Sequence, residues 1–231
     1  MHGLPTTTFT TMDDQVAAAM SRWPDVPSAY GWLSLNQQGQ WRLHPQGDGW
    51  AVTCEGAPLP GANTSLPPGE AITSSRILAF INRNYTHDAQ GRWYFQNGPQ
   101  RVFVRLDAAP LILSLAGPDS GPILQTHTGL DAAQIHSWWV DDEGRLYADT
   151  EHGPGLVAGR DAMAVFDALR ATDGRAVLEL LEQGEPDSPV MIAAYGTQAA
   201  LPAKPAPLAF RPAQEIPRIL AFSRFPIAGG E

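Results

Sequence analysis

Residues 84–115 read NYTHDAQGRWYFQNGPQRVFVRLDAAPLILSL, and this stretch decides the fold class. The polar run His87-Asp88-Ala89-Gln90-Gly91 has the composition of a turn, with glycine where a positive φ is needed, and Arg92 to Phe95 begins an aromatic strand. Asn97-Gly98 then carries a strong short hairpin signal. From Arg101 to Leu106 the side chains alternate, Val102, Val104 and Leu106 on one face and Arg101, Phe103 and Arg105 on the other, which is the period of a half-buried strand. The stretch is therefore expected to form a β-meander.

Reading outward, Asp14 to Arg22 has helical spacing and ends at Pro24 and Pro27. Tyr30 to Leu35 and Gln40 to Leu43 make a hairpin about Asn36-Gln37-Gln38-Gly39. Pro45 to Gly69 is rich in glycine and proline, which predicts a long surface excursion with at most a short strand near Trp50 to Thr53. Ile72 to Arg83 suits an amphipathic helix starting near Ser74-Ser75. Beyond the meander, Gly117 to Gly129 reads as a connector holding a short strand at Ile123 to Thr126. Ile135 to Val140 and Arg145 to Asp149 flank a second polar turn, and Gly153 to Gly159 links them to a helix over Asp161 to Ala171. Arg175 to Gln183 is either helix or strand, and Val190 to Tyr195 is a buried strand. The proline-rich Leu201 to Pro212 is expected to run as an extended edge path, and Ile216 to Ile227 as a final strand.

Three turns share a polar residue, two variable positions, glycine, one more residue and then a large apolar one: Asn36 to Trp41, Asp88 to Trp93 and Asp141 to Leu146. The first asparagine or aspartate bonds the turn backbone and glycine takes the left-handed position, so the apolar residue lands inward on the returning strand. The first and third hairpins are each followed by a linker and a helix, which predicts an internal duplication with Trp41 and Leu146 equivalent. The pentapeptide Arg76 to Phe80 recurs as Arg218 to Phe222, but the flanking residues differ. The expected architecture is α+β: two related units, each an antiparallel meander covered by a short helix. An arm over 1–27, units over 28–116 and 130–212, and a tail over 213–231 complete it.

This order of hairpin with a G-x-W return, helix ending in Leu-Ala-Phe, D-x-x-G-R-W-Y turn, V-x-V-x-L strand and Asp-Ala-x-Pro-Leu step (Asp107 to Leu111) resembles the bacterial domain-of-unknown-function family number 1285. The resemblance implies a duplicated α+β fold and, at most, a ligand-binding or signalling role; it carries no catalytic residues over. The long Pro45 to Gly69 insertion and the proline-rich tail depart from the pattern and point to a sister family.

Fifteen basic against twenty-four acidic residues give a net charge of -9, which opposes binding to nucleic acid or to an anionic membrane surface. No apolar run approaches the eighteen or so residues of a membrane helix. The N-terminal MHGLPTTTFTTMDDQ lacks the features of a secretory signal, and the single cysteine, Cys54, forms no internal disulfide, so the cytoplasm is the expected compartment.

No motif assembles a catalytic centre. Gly153-Pro-Gly155-Leu-Val-Ala-Gly159 has the wrong spacing for a dinucleotide loop. His127, His136 and His152 lie near Asp131, Asp141 and Asp142 in sequence but match no metal-ligand pattern, so neither metal nor cofactor is assigned. Cys54 has no visible activating partner. Trp93 and Phe95 share a face with Tyr94 opposite, and Trp138 and Trp139 point to opposite faces. Either the two units pack on these rings or the rings line a groove. The groove reading names Tyr94, Phe103, Arg105, Trp138 and Trp139, with Arg92, Arg101 and Arg105 holding a small anionic metabolite or a protein partner. The alternatives are a homodimer face and an enzyme whose site gathers His127, His136 and Asp141.

Overall fold

The computed structural model describes residues 13–49, 67–116, 123–182, 189–194 and 204–227. The strand expected near Trp50 to Thr53 and Cys54 lie outside them. The chain forms two units, one built on residues up to Pro110 and rejoined by the chain from Ala221, the other on Leu111–Leu220.

The first unit runs α1 (Asp14–Arg22), β1 (Ala29–Leu35), β2 (Trp41–Leu43), β3 (Glu70–Ala71), α2 (Ser75–Arg83), β4 (Tyr85–His87), β5 (Trp93–Asn97) and β6 (Gln100–Leu106), with sheet order β3-β2-β1-β6-β5-β4. The side chain of Ser74 accepts from Ile77 N and starts α2, as a helix N-cap should. Strand alternation decides what this helix meets. Phe80 packs edge-to-face on Phe95 with centroids 5.4 Å apart, and the Trp41 indole donates to Asn82 Oδ1 at 2.8 Å. Tyr85 sits between Trp41 and Trp93, 4.9 and 4.8 Å away. Trp93 and Phe95 therefore share the helix-bearing face, as their spacing predicts. The hairpin loop sits one residue on from Asn97-Gly98: Asn97 pairs with Gln100 in the ladder, and Gly98 takes φ 58 at the first loop position.

The second unit runs β7 (Leu111–Ala116), β8 (Ile123–Thr126), β9 (Ile135–Val140), β10 (Leu146–Thr150), β11 (Gly153–Val157), α3 (Gly159–Ala168), β12 (Leu169–Ala171), α4 (Val177–Glu182), β13 (Val190–Ala194), β14 (Ala206–Phe210) and α5 (Ile216–Ile219). Its sheet order is β12-β13-β14-β9-β10-β11-β7-β8. Remove β7 and β8 and reverse the order, and the sequence of strands is that of the first unit. β9, β10 and β11 take the places of β1, β2 and β3, α3 that of α2, and β12, β13 and β14 those of β4, β5 and β6. Trp41 pairs with Leu35 and Leu146 with Val140 at the same step, so the equivalence expected of Trp41 and Leu146 holds in the strand register.

The shared turns are built alike. Asn36 Oδ1 accepts from Gln38 N and Gln40 N at 3.1 and 2.8 Å. Asp88 Oδ1 accepts from Gln90 N and Arg92 N at 3.0 and 3.0 Å, and Asp141 Oδ1 from Glu143 N and Arg145 N at 3.0 and 2.9 Å. In the two aspartate turns the second oxygen receives the arginine Nε at 2.7 Å. Gly39, Gly91 and Gly144 hold φ of 79, 70 and 75°, as the turn requires.

The class is α+β, as expected, but several elements differ. The sheets are mixed: β1 runs parallel to β6 and β9 parallel to β14, because the helix between each hairpin and its meander returns the chain in the same direction. β7, which sequence placed at the end of the first unit, runs parallel to β11 and belongs to the second. The Gly153 to Gly159 linker is largely strand β11. Its glycines suit close packing, since a Cβ on Gly155 would stand 2.8 Å from Leu113 Cγ. α3 stops at Ala168, and Leu169–Ala171, expected as its last residues, form β12 instead. The proline-rich segment supplies β14 between β13 and β9; only Pro207 falls within the strand, so a single ladder donor is missing. The tail forms α5 and then a single bridge of Ser223 to Arg92 rather than a full strand. The repeated pentapeptide is helical at Arg76 to Phe80, whereas Ala221 within Arg218 to Phe222 takes φ 53, so the two copies are not equivalent. Among the described residues no helix is long and apolar enough to cross a membrane.

Candidate ligand-binding site

The opposite face of the first sheet carries Tyr94, Phe103 and Arg105. Tyr94 and Phe103 are cross-strand partners with ring centroids 5.5 Å apart, and Tyr30 stacks on Phe103 at 4.8 Å. Arg101 lies 4.9 Å over the Tyr94 ring and Arg92 5.0 Å over Phe103. Trp138 and Trp139 belong to the second unit. Trp138 is in its core, and the Trp139 indole donates to Ser137 Oγ at 2.9 Å with Arg211 5.9 Å over its ring.

Arg105 is 1% exposed and every N–H of its guanidinium is taken. Nε donates to Asp107 Oδ1 at 3.0 Å. Nη1 donates to the Gly49 and Pro67 carbonyls, and Nη2 to Pro67 O at 3.1 Å and Ser34 Oγ at 3.4 Å. It has no donor left to offer an anion. Burial lowers its pKa, and the Asp107 carboxylate opposes the shift. Sequence could not show this, because two of the acceptors are backbone carbonyls and carry no residue signature.

Ser34 and His44 complete this buried cluster. Ser34 Oγ and His44 Nε2 are 2.9 Å apart, the reach of a nucleophile and its base. Since Arg105 donates to Ser34 Oγ, the hydroxyl proton is directed to His44 Nε2, which fits the neutral imidazole protonated on Nδ1. Burial and the Arg105 charge lower the His44 pKa. A cavity of about 240 Å³ reaches His44 but not Ser34, and Ser34 is fully buried. The pair holds the β1–β2 hairpin rather than presenting a nucleophile.

The histidines of the enzyme alternative are placed separately. His136 is exposed on β9. Asp141 is committed to its turn and also accepts from Tyr147 Oη at 3.2 Å. The His127 ring is buried, its Nδ1 accepting from Ile112 N at 3.2 Å, and burial lowers its pKa to about 3. Among the described residues no cluster of three or more potential ligands could hold a metal ion.

The depressed His127 pKa has a measurable consequence. The folded protein keeps this ring neutral down to about pH 3, whereas the unfolded chain protonates it below roughly pH 6.5. Stability is therefore present above that value and is lost as pH falls, by up to about 1.4 kcal/mol per unit. His127→Asn, whose Oδ1 can accept from Ile112 N, is expected to melt with a shallower pH dependence between neutrality and pH 4. Equal slopes for the two proteins would show that His127 contributes nothing to acid sensitivity.

The opening that sequence did not reveal lies on the helix-bearing face of the first sheet. A cavity of about 850 Å³ is bounded by Ala29, Leu33, Phe95 and Val102 from the sheet and by Ser74, Ile77, Phe80 and Ile81 from the helix side, with Trp32, Leu43, Glu70, Asn97 and Gln100 also lining it. The register of β1 against β6 shifts between Ala29 and Leu33, both on this wall. Gly31 lies within that stretch with φ 80, and a Cβ there would meet Gly47 O at 2.2 Å. Trp32 is 44% exposed, its ring lying beside Gly47, where a Cβ would come 3.2 Å from the indole. An apolar wall with few polar groups and this volume falls within the range of small-molecule sites.

Two solved structures of family 1285 match the chain, as the resemblance in Asp88 to Leu111 implied. One is a DUF1285 family protein from Silicibacter pomeroyi DSS-3, with 13% identity over 89% of this chain and 99% of that one and a TM-score of 0.45. The other, from Shewanella baltica OS155, has 16% identity over 58% of this chain and 90% of that one, with a TM-score of 0.35. No curated protein matches. A different family model, DUF2944, described as "Protein of unknown function (DUF2946)", matches residues 12–226, and the chain belongs to that family.

Proposed function

We propose that this protein is a small-ligand-binding module of regulatory type, with its site in the cavity between α2 and the first sheet. The supporting observation is the 850 Å³ apolar concavity held open beside well-buried aromatic packing. The test is titration with the uncharged dye Nile red, followed by dye emission and by quenching of tryptophan fluorescence, since Trp32 is in the wall. Saturable binding is expected. Asn97→Trp places an indole at the rim from an exposed position at the end of β5, on the face that carries Phe95, and is expected to weaken binding about tenfold or more, a loss near 1.4 kcal/mol, with an unchanged melting temperature. Absence of saturable binding, or equal binding by Asn97→Trp, would overturn the assignment.

A second reading, a homodimer face, draws on the exposure of Trp32, Leu43 and Ile77 around the same mouth. Light scattering that finds only monomer at high concentration removes it.

A further inference from the structure

The cavity has a charge pattern that narrows its ligand, an argument that rests on the binding assignment above. Among the described residues its one ionisable lining residue is Glu70, exposed on β3, and no arginine, lysine or histidine of the described residues lines it. Strand alternation sends Arg101 and Arg105 to the opposite face of β6, where Arg101 covers Tyr94 and Arg105 is buried against Asp107. Arg83, in the last turn of α2, pairs with Asp13 at 3.3 Å. An anionic head in this cavity would lose water, find neutral donors such as the Asn97 and Gln100 amides, and meet, among the described charged side chains, only the Glu70 carboxylate.

The internal duplication indicates what such a face accepts. In the second unit, β12 and β13 are separated by a connection that contains α4, whose Val177 and Leu180 join the core around α3. In the first unit the corresponding strands, β4 and β5, are joined by the Asp88 to Arg92 turn with no helix. One unit adds aliphatic side chains of its own to its helix-bearing face; the other keeps an apolar cavity with a carboxylate at its edge.

We infer that the cavity takes an amphiphilic amine, its aliphatic or aromatic body lying between α2 and the sheet and its ammonium group against Glu70. Carboxylate and phosphate amphiphiles are disfavoured by the same geometry.

Three probes of equal chain length, decylamine, decanol and decanoate, separate body from head when titrated near neutral pH below their micelle concentrations, followed by tryptophan fluorescence and thermal shift. Decylamine is expected to bind about tenfold more tightly than decanoate, with decanol between, as a partly exposed charge contact allows. Glu70→Gln should bring decylamine within about twofold of decanol and leave decanol unchanged. Glu179→Gln, in the other unit, controls for the general attraction of a chain of net charge -9 and should leave the ratios as they are. Decanoate binding as tightly as decylamine, or Glu179→Gln acting as strongly as Glu70→Gln, would overturn the amine inference while the cavity assignment stands. Failure of all three probes to bind saturably would instead overturn the cavity assignment.

Discussion

Arg105→Met is expected to lower the melting temperature by about 6–20 °C. Methionine matches the aliphatic stem but leaves the Asp107 carboxylate, the Gly49 and Pro67 carbonyls and Ser34 Oγ without the donor they share. Removing one partner from a buried charged network costs about 3–5 kcal/mol, and each kcal/mol is worth roughly 2–4 °C at this size. Arg105→Lys should fare little better, because an ammonium cannot span a fork of five N–H groups. Arg101→Met, which removes only a cation–π contact over Tyr94, should cost about 1 kcal/mol or less. Differential scanning calorimetry on the three variants checks this. A melting point for Arg105→Met within about 2 °C of the parent would show that the network is dispensable.

Gly91→Ala is expected to be the other severe substitution, and Gly144→Ala is its matched control. Both glycines occupy the same position of the same turn, with φ of 70 and 75°, so both alanines carry the left-handed strain of about 1–2 kcal/mol. Around Gly144 there is nothing within 4 Å of an added Cβ, whereas at Gly91 it would stand 2.0 Å from Ala221 O. The returning tail lies there. Ser223 N donates to Gly91 O at 2.9 Å, and Leu106 N donates to Arg224 O at 2.9 Å. Arg224 Nη2 donates to Asp107 O at 2.6 Å. Displacing that segment removes these bonds together, so Gly91→Ala should lose at least twice the melting temperature lost by Gly144→Ala, and its C-terminal residues should become sensitive to limited proteolysis. Equal losses, with the tail still protected, would mean that the tail contributes no stability.

The sequence by itself determined the local elements, because their causes are local. An aspartate or asparagine three residues before a glycine sets a turn whose bonds all lie within five residues, and the turns at Asn36, Asp88 and Asp141 formed as their composition predicts. Alternation put Trp93 and Phe95 toward α2 and Tyr94 and Phe103 away from it. Spacing at Ile77, Phe80 and Ile81 with a serine before it set α2. The order of these elements was enough to reveal two related units.

Only the tertiary structure decided how strands distant in sequence pair and what surrounds each side chain. The parallel pairs β1 with β6 and β9 with β14 join segments separated by whole meanders, and neither strand's pattern names its partner. Pro207 entered a sheet interior because its flanking residues supply the remaining ladder. Arg105 had the sequence signature of a residue beside a strand's aromatic rings, whether free or committed; carbonyls of Gly49 and Pro67 settled that, and a carbonyl looks the same in every residue. The cavity is likewise invisible in sequence, since it is a volume left between α2 and a bulged sheet rather than a property of any residue that lines it.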